Sequence, residues 1–327
     1  GKLIFEGEYL NGKRNGKGKE YHYNGKLKFE GEYTHEAIFA KGKEYDQNGV
    51  LIFEGEYING KRWDGKGKEY DKKGKLIFEG EYINGQKSGK CKEYNYDKLK
   101  FEGEYLNGKR SGKCKEYDYG KLIFEGEYLN GARNGKGKEY DSWYHTLIYE
   151  GEYINGARNG KGKEYDKKGK LIFEGEYYNG LRNGEGKEYY INGKIQFEGE
   201  YSNGEKYNVK GYDTNGNLVL VLKNGAGKVK EYYDNGNLAF EGEYKDGKIN
   251  GKGKEYFYAN NNIEFEGEYK DGKRNGKGKE YYYCNGKLKF EGVYKNGKRN
   301  EGKEYYYNGE LIFKGLYKDG EKYINYT

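Results

Sequence analysis

Gly1-Lys-Leu-Ile-Phe-Glu-Gly-Glu-Tyr-Leu-Asn-Gly-Lys-Arg-Asn-Gly-Lys-Gly-Lys-Glu-Tyr21 decides the fold, because the chain repeats it along its length. The glycine at the centre of Phe-Glu-Gly-Glu-Tyr is Gly7. Its equivalents are Gly31, Gly55, Gly80, Gly103, Gly126, Gly151, Gly175, Gly199, Gly242, Gly267, Gly292 and Gly315. Successive gaps are 23 to 25 residues, except one of 43 between Gly199 and Gly242. That gap holds a degenerate copy around Asn217-Leu-Val-Leu-Val-Leu-Lys-Asn-Gly225, so the array counts fourteen repeats. A fixed short period means that each repeat is covered by its neighbours rather than by a deep core.

Each repeat reads as a hairpin. Residues 3–9 alternate by two: Leu3, Phe5, Gly7 and Tyr9 share one face, Ile4, Glu6 and Glu8 the other. Asn11-Gly12-Lys-Arg-Asn15-Gly16 supplies the reversal, since Asn and Gly tolerate positive φ. A second strand follows over about 16–21. Pairing the strands sets Glu6 and Glu8 opposite Lys17 and Lys19, and Phe5 and Tyr9 over Gly16 and Gly18. Cross-strand ion pairs of this kind are worth about 0.2–1 kcal/mol each. An aromatic ring lying over a glycine covers backbone that would otherwise be bare. Links such as Asn24-Gly25 and Asn48-Gly49 return the chain to the next repeat. The expected fold is all-β: an elongated single-layer ribbon of consecutive antiparallel hairpins. Its organisation reads as repeats over 1–204, a kink at the degenerate 205–230, and repeats over 231–327.

Composition agrees with a thin, solvated array. The 327 residues include 57 Gly and 42 Tyr, no Pro and no Met. Charged residues make up 35%, and the net charge of +7 is a small excess on so charged a surface. It does not point to nucleic acid. No apolar run reaches the about 20 residues that cross a bilayer. The natural N-terminus is expected to lie upstream of Gly1, and no signal peptide is read. Cys91, Cys114 and Cys284 form no disulfide framework, and a reducing, cytoplasmic setting is expected. Cys91 and Cys114 fall at equivalent places two strands apart, too far for a disulfide.

No enzyme site emerges. His22, His35 and His145 are scattered, and no nucleophile–base–acid set, zinc spacing or phosphate loop stands out. Carboxylate pairs recur in nearly every repeat, whereas a catalytic pair would be singular. No cofactor, metal or small-molecule substrate is expected.

The repeat resembles the MORN repeat (membrane occupation and recognition nexus), whose pattern is Y-x-G-x-W/Y-x-x-G-x-x-x-G-x-G. Phe5, Gly7, Tyr9, Gly12, Gly16 and Gly18 fill those places. The stretch K-E-Y-D-x-x-G-K-L-x-F-E-G is similar to the second, bacterial-type variant. The resemblance implies a non-catalytic hairpin array of the kind found in cytoskeletal and membrane-contact scaffolds. It also implies grooves that hold peptides, binding of acidic phospholipid by some arrays, and occurrence beside enzyme domains in larger proteins.

Three surfaces are therefore candidates. The first is an aromatic-lined groove formed by Phe5, Tyr9, Phe53, Tyr57, Phe78, Tyr82, Phe101, Tyr105, Phe124, Tyr128, Tyr153, Phe173 and Tyr177, open to protein partners. The second is a basic edge of hairpin loops carrying Arg14, Arg62, Arg110, Arg133, Arg158, Arg182, Arg274 and Arg299, suited to anionic membrane. The third is a set of irregular hot spots: Ile38 and Phe39 at a loop tip, Trp63 in a hairpin loop and Trp143 in a link. The leading expectation is a structural scaffold or adaptor for protein partners, capable of self-association and tied to cytoskeleton, membrane surface or a large assembly. A phospholipid-binding module and the regulatory part of a larger enzyme are the alternatives.

Overall fold

Asn11 and Gly12 reverse the chain in two residues, at φ of 49° and 76°. Two positive values in a row make a type I′ turn, which Asn-Gly tolerates. In the computed structural model, which describes residues 1–34 and 39–323, strands β1 (Phe5–Leu10) and β2 (Lys13–Tyr21) flank this turn directly. The reversal is thus shorter than residues 11–16, and Lys13 and Arg14 belong to a strand. The second Asn-Gly, at 15–16, makes a bulge instead. Gly7 pairs with Gly18 and Tyr9 with Arg14, so residues 15–17 oppose Glu8 alone. Gly16 stands there at φ 75°, and a Cβ on it would collide with the Glu8 carboxylate. The next hairpin lacks that Asn-Gly, and its strands β3 (Leu27–Thr34) and β4 (Phe39–Tyr45) pair in unbroken register.

The same two steps then recur. β2 pairs with β3 through Gly18 and Gly31, with Lys19 opposite Glu30. Every strand is antiparallel to its neighbour, and no helix occurs among the described residues. The chain forms two compact units, Gly1–Ala157 and Arg158–Thr327. Successive repeats are also tied at their ends. The turn glycine donates its N–H to a carbonyl of the preceding repeat, as from Gly108 to Lys87 and Gly297 to Arg274, each at 2.9 Å.

The irregular stretch 205–230 lies inside the second unit. Its ladder is interrupted between strands Leu218–Val221 and Gly227–Tyr232, which are joined by one bridge, Lys223 to Ala226. Leu220 takes the phenylalanine place, and Leu222 and Val229 take glycine places. Bonds that reach across the shortened repeat brace it. Ile191 N–H donates to Asp234 at 2.7 Å, and Lys206 lies 3.9 Å from Glu188 and 3.8 Å from Glu231.

Aromatic rings form the core, one face of the sheet deep. Phe53, Phe78, Phe101, Phe124, Phe173, Phe265 and Phe290 are almost wholly buried. Each ring meets the tyrosine of its own repeat and that of the next edge-on. Phe265, for example, lies 5.5 Å from Tyr269 and 5.1 Å from Tyr294, both near perpendicular. Such pairs add about 0.5–1.5 kcal/mol each beyond burial. The ring also lies over the paired glycines: a Cβ on Gly278 would come within 2.5 Å of Phe265 Cζ.

Candidate functional site

The aromatic rings do not line an open groove. Tyr57, Tyr82, Tyr128, Tyr153 and Tyr177 are buried with the phenylalanines beside them, Phe5 and Tyr105 are half-buried, and of the expected set only Tyr9 is exposed. The reason is a cover that the sequence did not disclose. The short turn puts each arginine on the strand opposite the tyrosine, on the aromatic face. The guanidinium of Arg110 lies 4.0 Å from the Phe101 ring centre, that of Arg133 4.0 Å from Phe124, and that of Arg182 3.9 Å from Phe173. Arg14, Arg62, Arg274 and Arg299 sit likewise over Phe5, Phe53, Phe265 and Phe290.

Each of these cations is paired with a glutamate of the Lys-Glu-Tyr segment. Arg110 holds Glu93 through Nε at 2.9 Å and Nη2 at 2.8 Å, and Arg62 holds Glu44 at 2.8 Å. Arg133 binds Glu116 at 2.8 Å, Arg182 binds Glu164 at 2.6 Å, and Arg158 lies 3.4 Å from Glu164. Arg14, Arg274 and Arg299 bond Glu20, Glu255 and Glu280. The core tyrosine donates its hydroxyl to the same carboxylate, as Tyr177 does to Glu164 at 2.9 Å. Burial alone would raise the Glu93 carboxyl, but Arg110 and the Tyr105 hydroxyl outweigh it and hold it below its ordinary value. The arginines expected in loops therefore stand half-buried in strands, with the core as their business.

Arg110→Ala should cost about 2–3 kcal/mol, because it removes the cation from a ring and strands a half-buried carboxylate. Arg110→Lys should keep most of that stability. Lys87 already fills this place in the preceding repeat, 2.9 Å from Glu69 and 3.7 Å from the Phe78 ring centre. Urea unfolding with hydrogen exchange over residues 98–118 measures both; an Ala variant as stable as the parent would reduce the pair to a solvated contact.

The open concavity lies on the other face. In the second unit, a trough of about 1220 Å³ runs across strands from Gly227–Tyr232 to Leu311–Lys318. Its floor is a file of glycines: Gly242, Gly253, Gly267, Gly278, Gly292, Gly302 and Gly315. On one side of that file, glutamates alternate with lysines: Lys230, Glu241, Lys254, Glu266, Lys279, Glu291 and Lys303. Registered pairing sets Lys254 between Glu241 and Glu266 and Lys279 between Glu266 and Glu291, while Lys303 at the far end stands between Glu291 and Lys314. Lys303 lies 3.3 Å from Glu291, and Lys230 lies 3.8 Å from Glu241. A second row of tyrosines bonds these glutamates, Tyr256 to Glu241 and Tyr281 to Glu266, each at 2.7 Å. On the other side of the glycine file Val293 stands where most repeats carry glutamate and offers an apolar contact.

The remaining expected contact residues separate. Phe39 opens β4 opposite Ile58 and is half-buried, not at a loop tip, and Ile38 lies outside the described residues. Trp63 lies in strand Lys61–Tyr70, half-buried, with its carbonyl accepting the Gly85 N–H. Trp143 is in a link and 81% exposed. Cys91 and Cys114 are free thiols buried at the glycine place beneath Phe78 and Phe101. Burial pushes the Cys91 thiol up to about 11.

Comparison with known proteins agrees with this construction. The MORN repeat model matches residues 5–26, 78–98, 101–119, 124–146, 149–170, 173–195, 240–261 and 265–283, more than half of the chain. The MORN repeat variant matches 40–59, 63–84, 227–246 and 300–319. The chain belongs to the MORN repeat family, as a repeat-based binding or scaffold module. No curated protein matches it. Crystal structures of TcdB2-TccC3-Cdc42, TcdB2-TccC3-TEV and TcdB2-TccC3 align over 93% of the chain at 14%, 13% and 13% identity, each with a TM-score of 0.19. The chain spans less than a fifth of their length, and so low a score carries no functional argument.

Proposed function

We propose that the chain is a non-enzymatic scaffold that holds a polypeptide partner in the trough of its second unit. The observation that carries this reading is the trough itself: a continuous floor of glycines flanked by charges of alternating sign. A glycine floor lets a backbone approach closely. Alternating Glu and Lys favour a partner that carries both signs and repel a polyanion or a polycation. A phospholipid edge is less favoured, because the arginines proposed for it are bonded to glutamates and lie over rings.

Selection of a displayed random-peptide library on the full chain tests the proposal. Selected peptides should bind the parent and lose about tenfold or more against Lys254→Glu combined with Lys279→Glu, the change expected from placing like charges beside one another. Failure to select any peptide, or binding indifferent to the reversal, would sink it. Flotation with neutral and anionic vesicles should show equal, low recovery. Recovery that requires anionic lipid and disappears in Arg110→Gln/Arg133→Gln would return the lipid reading.

A further inference from the structure

Three consecutive links of the first unit depart from the rest. Two of them shrink to two-residue turns. Strand Gln86–Asn95 passes to Lys98–Leu106 through Tyr96 and Asp97, and Lys109–Asp118 passes to Lys121–Leu129 through Tyr119 and Gly120. Tyr96 and Tyr119 stand at φ 50° and 46°, where the hairpin turns of this chain use Asn or Asp. A bulky aromatic residue is a strained outlier in that conformation. Neither is recompensed by burial, since Tyr96 is 76% and Tyr119 73% exposed. The third link, between Ala132–Tyr140 and Leu147–Ile154, presents Trp143 and Tyr144, also exposed.

The three links follow one another along one edge of the sheet, two strands apart, or roughly 10 Å per step. In the sequence on either side, the corresponding links are Asp71-Lys-Lys-Gly-Lys75 and Asp166-Lys-Lys-Gly-Lys170, with no aromatic residue. Exposed tyrosines recur in other links, Tyr23, Tyr258, Tyr283 and Tyr307 among them, but among the described residues a tyrosine stands at positive φ only in the turns of Tyr96 and Tyr119. Each ring has a carboxylate beside it in the chain: Asp97 after Tyr96, Asp118 before Tyr119 and Asp141 before Trp143. Asp97 is bonded by Lys75 at 2.6 Å, and Lys98 Nζ lies 5.4 Å from the Tyr119 ring centre.

We propose that Tyr96, Tyr119 and Trp143 form a stacking platform for a linear β-1,4-linked glycan. Flat rings at regular intervals pack against the apolar faces of sugars, and neighbouring carboxylates accept hydrogen bonds from sugar hydroxyls. A β-1,4-linked chain turns each sugar over relative to the last, so every second sugar offers the same face, one to each ring of the row. The carboxylates disfavour the other polymer that stacks on aromatic rings, single-stranded nucleic acid, which calls for a basic groove. The site is separate from the trough and does not depend on it.

Titration of the full chain with cellohexaose and chitohexaose tests the platform, by calorimetry and by Trp143 emission in a Trp63→Phe background. Saturable binding that is insensitive to salt is expected, weakened about tenfold by Tyr119→Asn and by Trp143→Ala. Tyr119→Asn creates the favoured Asn-Gly turn, so the loss cannot be ascribed to misfolding. Three results would overturn the proposal. These are no binding of either glycan by the parent, binding unchanged in the Tyr96→Asn/Tyr119→Asn/Trp143→Ala variant, and binding only of single-stranded nucleic acid that salt abolishes.

Discussion

Gly267→Ala should destabilise the second unit by about 3 kcal/mol, at the upper end of overpacking costs, while Gly278→Cys in the facing strand should cost less than about 1 kcal/mol. The two glycines are registered partners with different surroundings. A Cβ on Gly267 would lie 2.7 Å from Phe265 Cζ and also 2.7 Å from two backbone atoms, Gly278 Cα and the Lys277 carbonyl oxygen. Backbone of a paired strand cannot retreat without breaking its ladder. The nearest atoms to a Cβ on Gly278 are all side chain, the Phe265 ring and Tyr294 at 3.2 Å. A ring can yield, and the chain already carries larger residues at this place. Cys91 and Cys114 stand at this place beneath Phe78 and Phe101, and Val209 stands opposite Gly199 beside Phe197. Urea unfolding of each variant, followed by circular dichroism, makes the comparison. Equal losses would mean that the ring, not the strand–strand approach, sets the demand for glycine.

That asymmetry bears on what could be read from the residues alone. The period, the hairpin and the ring-over-glycine packing were legible, because Asn-Gly turns, a Phe–Gly–Tyr alternation and a short repeat all point one way. The length of the turn was not. Asn11-Gly12 and Asn15-Gly16 are equal as turn signals, and pattern alone cannot say that the second is a bulge held by Glu8. A signal was nevertheless present: two repeats without the second Asn-Gly, from Gly199 to Val209 and from Gly292 to Gly302, are one residue shorter at that point than Gly7 to Gly18. Misplacing the turn moved the arginines from the aromatic face to a loop, and with them the cover of the core. The side that stays open was also beyond pattern reading. Both faces carry tyrosine, Tyr294 toward Glu280 and Tyr281 toward Glu266, and alternation does not say which way a sheet curves.

Those two tyrosine rows give the chain a narrow alkaline limit, and unfolding should fall between pH about 10 and about 12. Burial and the bond to a glutamate raise the hydroxyls of Tyr94, Tyr128 and Tyr140 to about 12, and the bond to Glu30 followed by burial does the same for Tyr45. Many equivalents are displaced further in the same direction, Tyr57, Tyr201 and Tyr294 among them. A group raised in the folded state contributes stability that is fully present below its unfolded value, about 10 for tyrosine. That stability is lost as pH climbs toward the folded value. Each withheld proton takes up to about 1.4 kcal/mol per pH unit over that window, with less from the partly exposed row on the trough side. Set against the about 5–15 kcal/mol that holds a domain, the losses from a row of such groups exhaust stability within about one pH unit. Tyrosinate absorbance from the rows should therefore appear in one cooperative step, together with loss of the strand dichroism. A gradual rise in absorbance with the dichroism unchanged through pH 12 would mean that the hydroxyl–glutamate bonds contribute little, and that ring packing and the arginine cover hold the repeats without them.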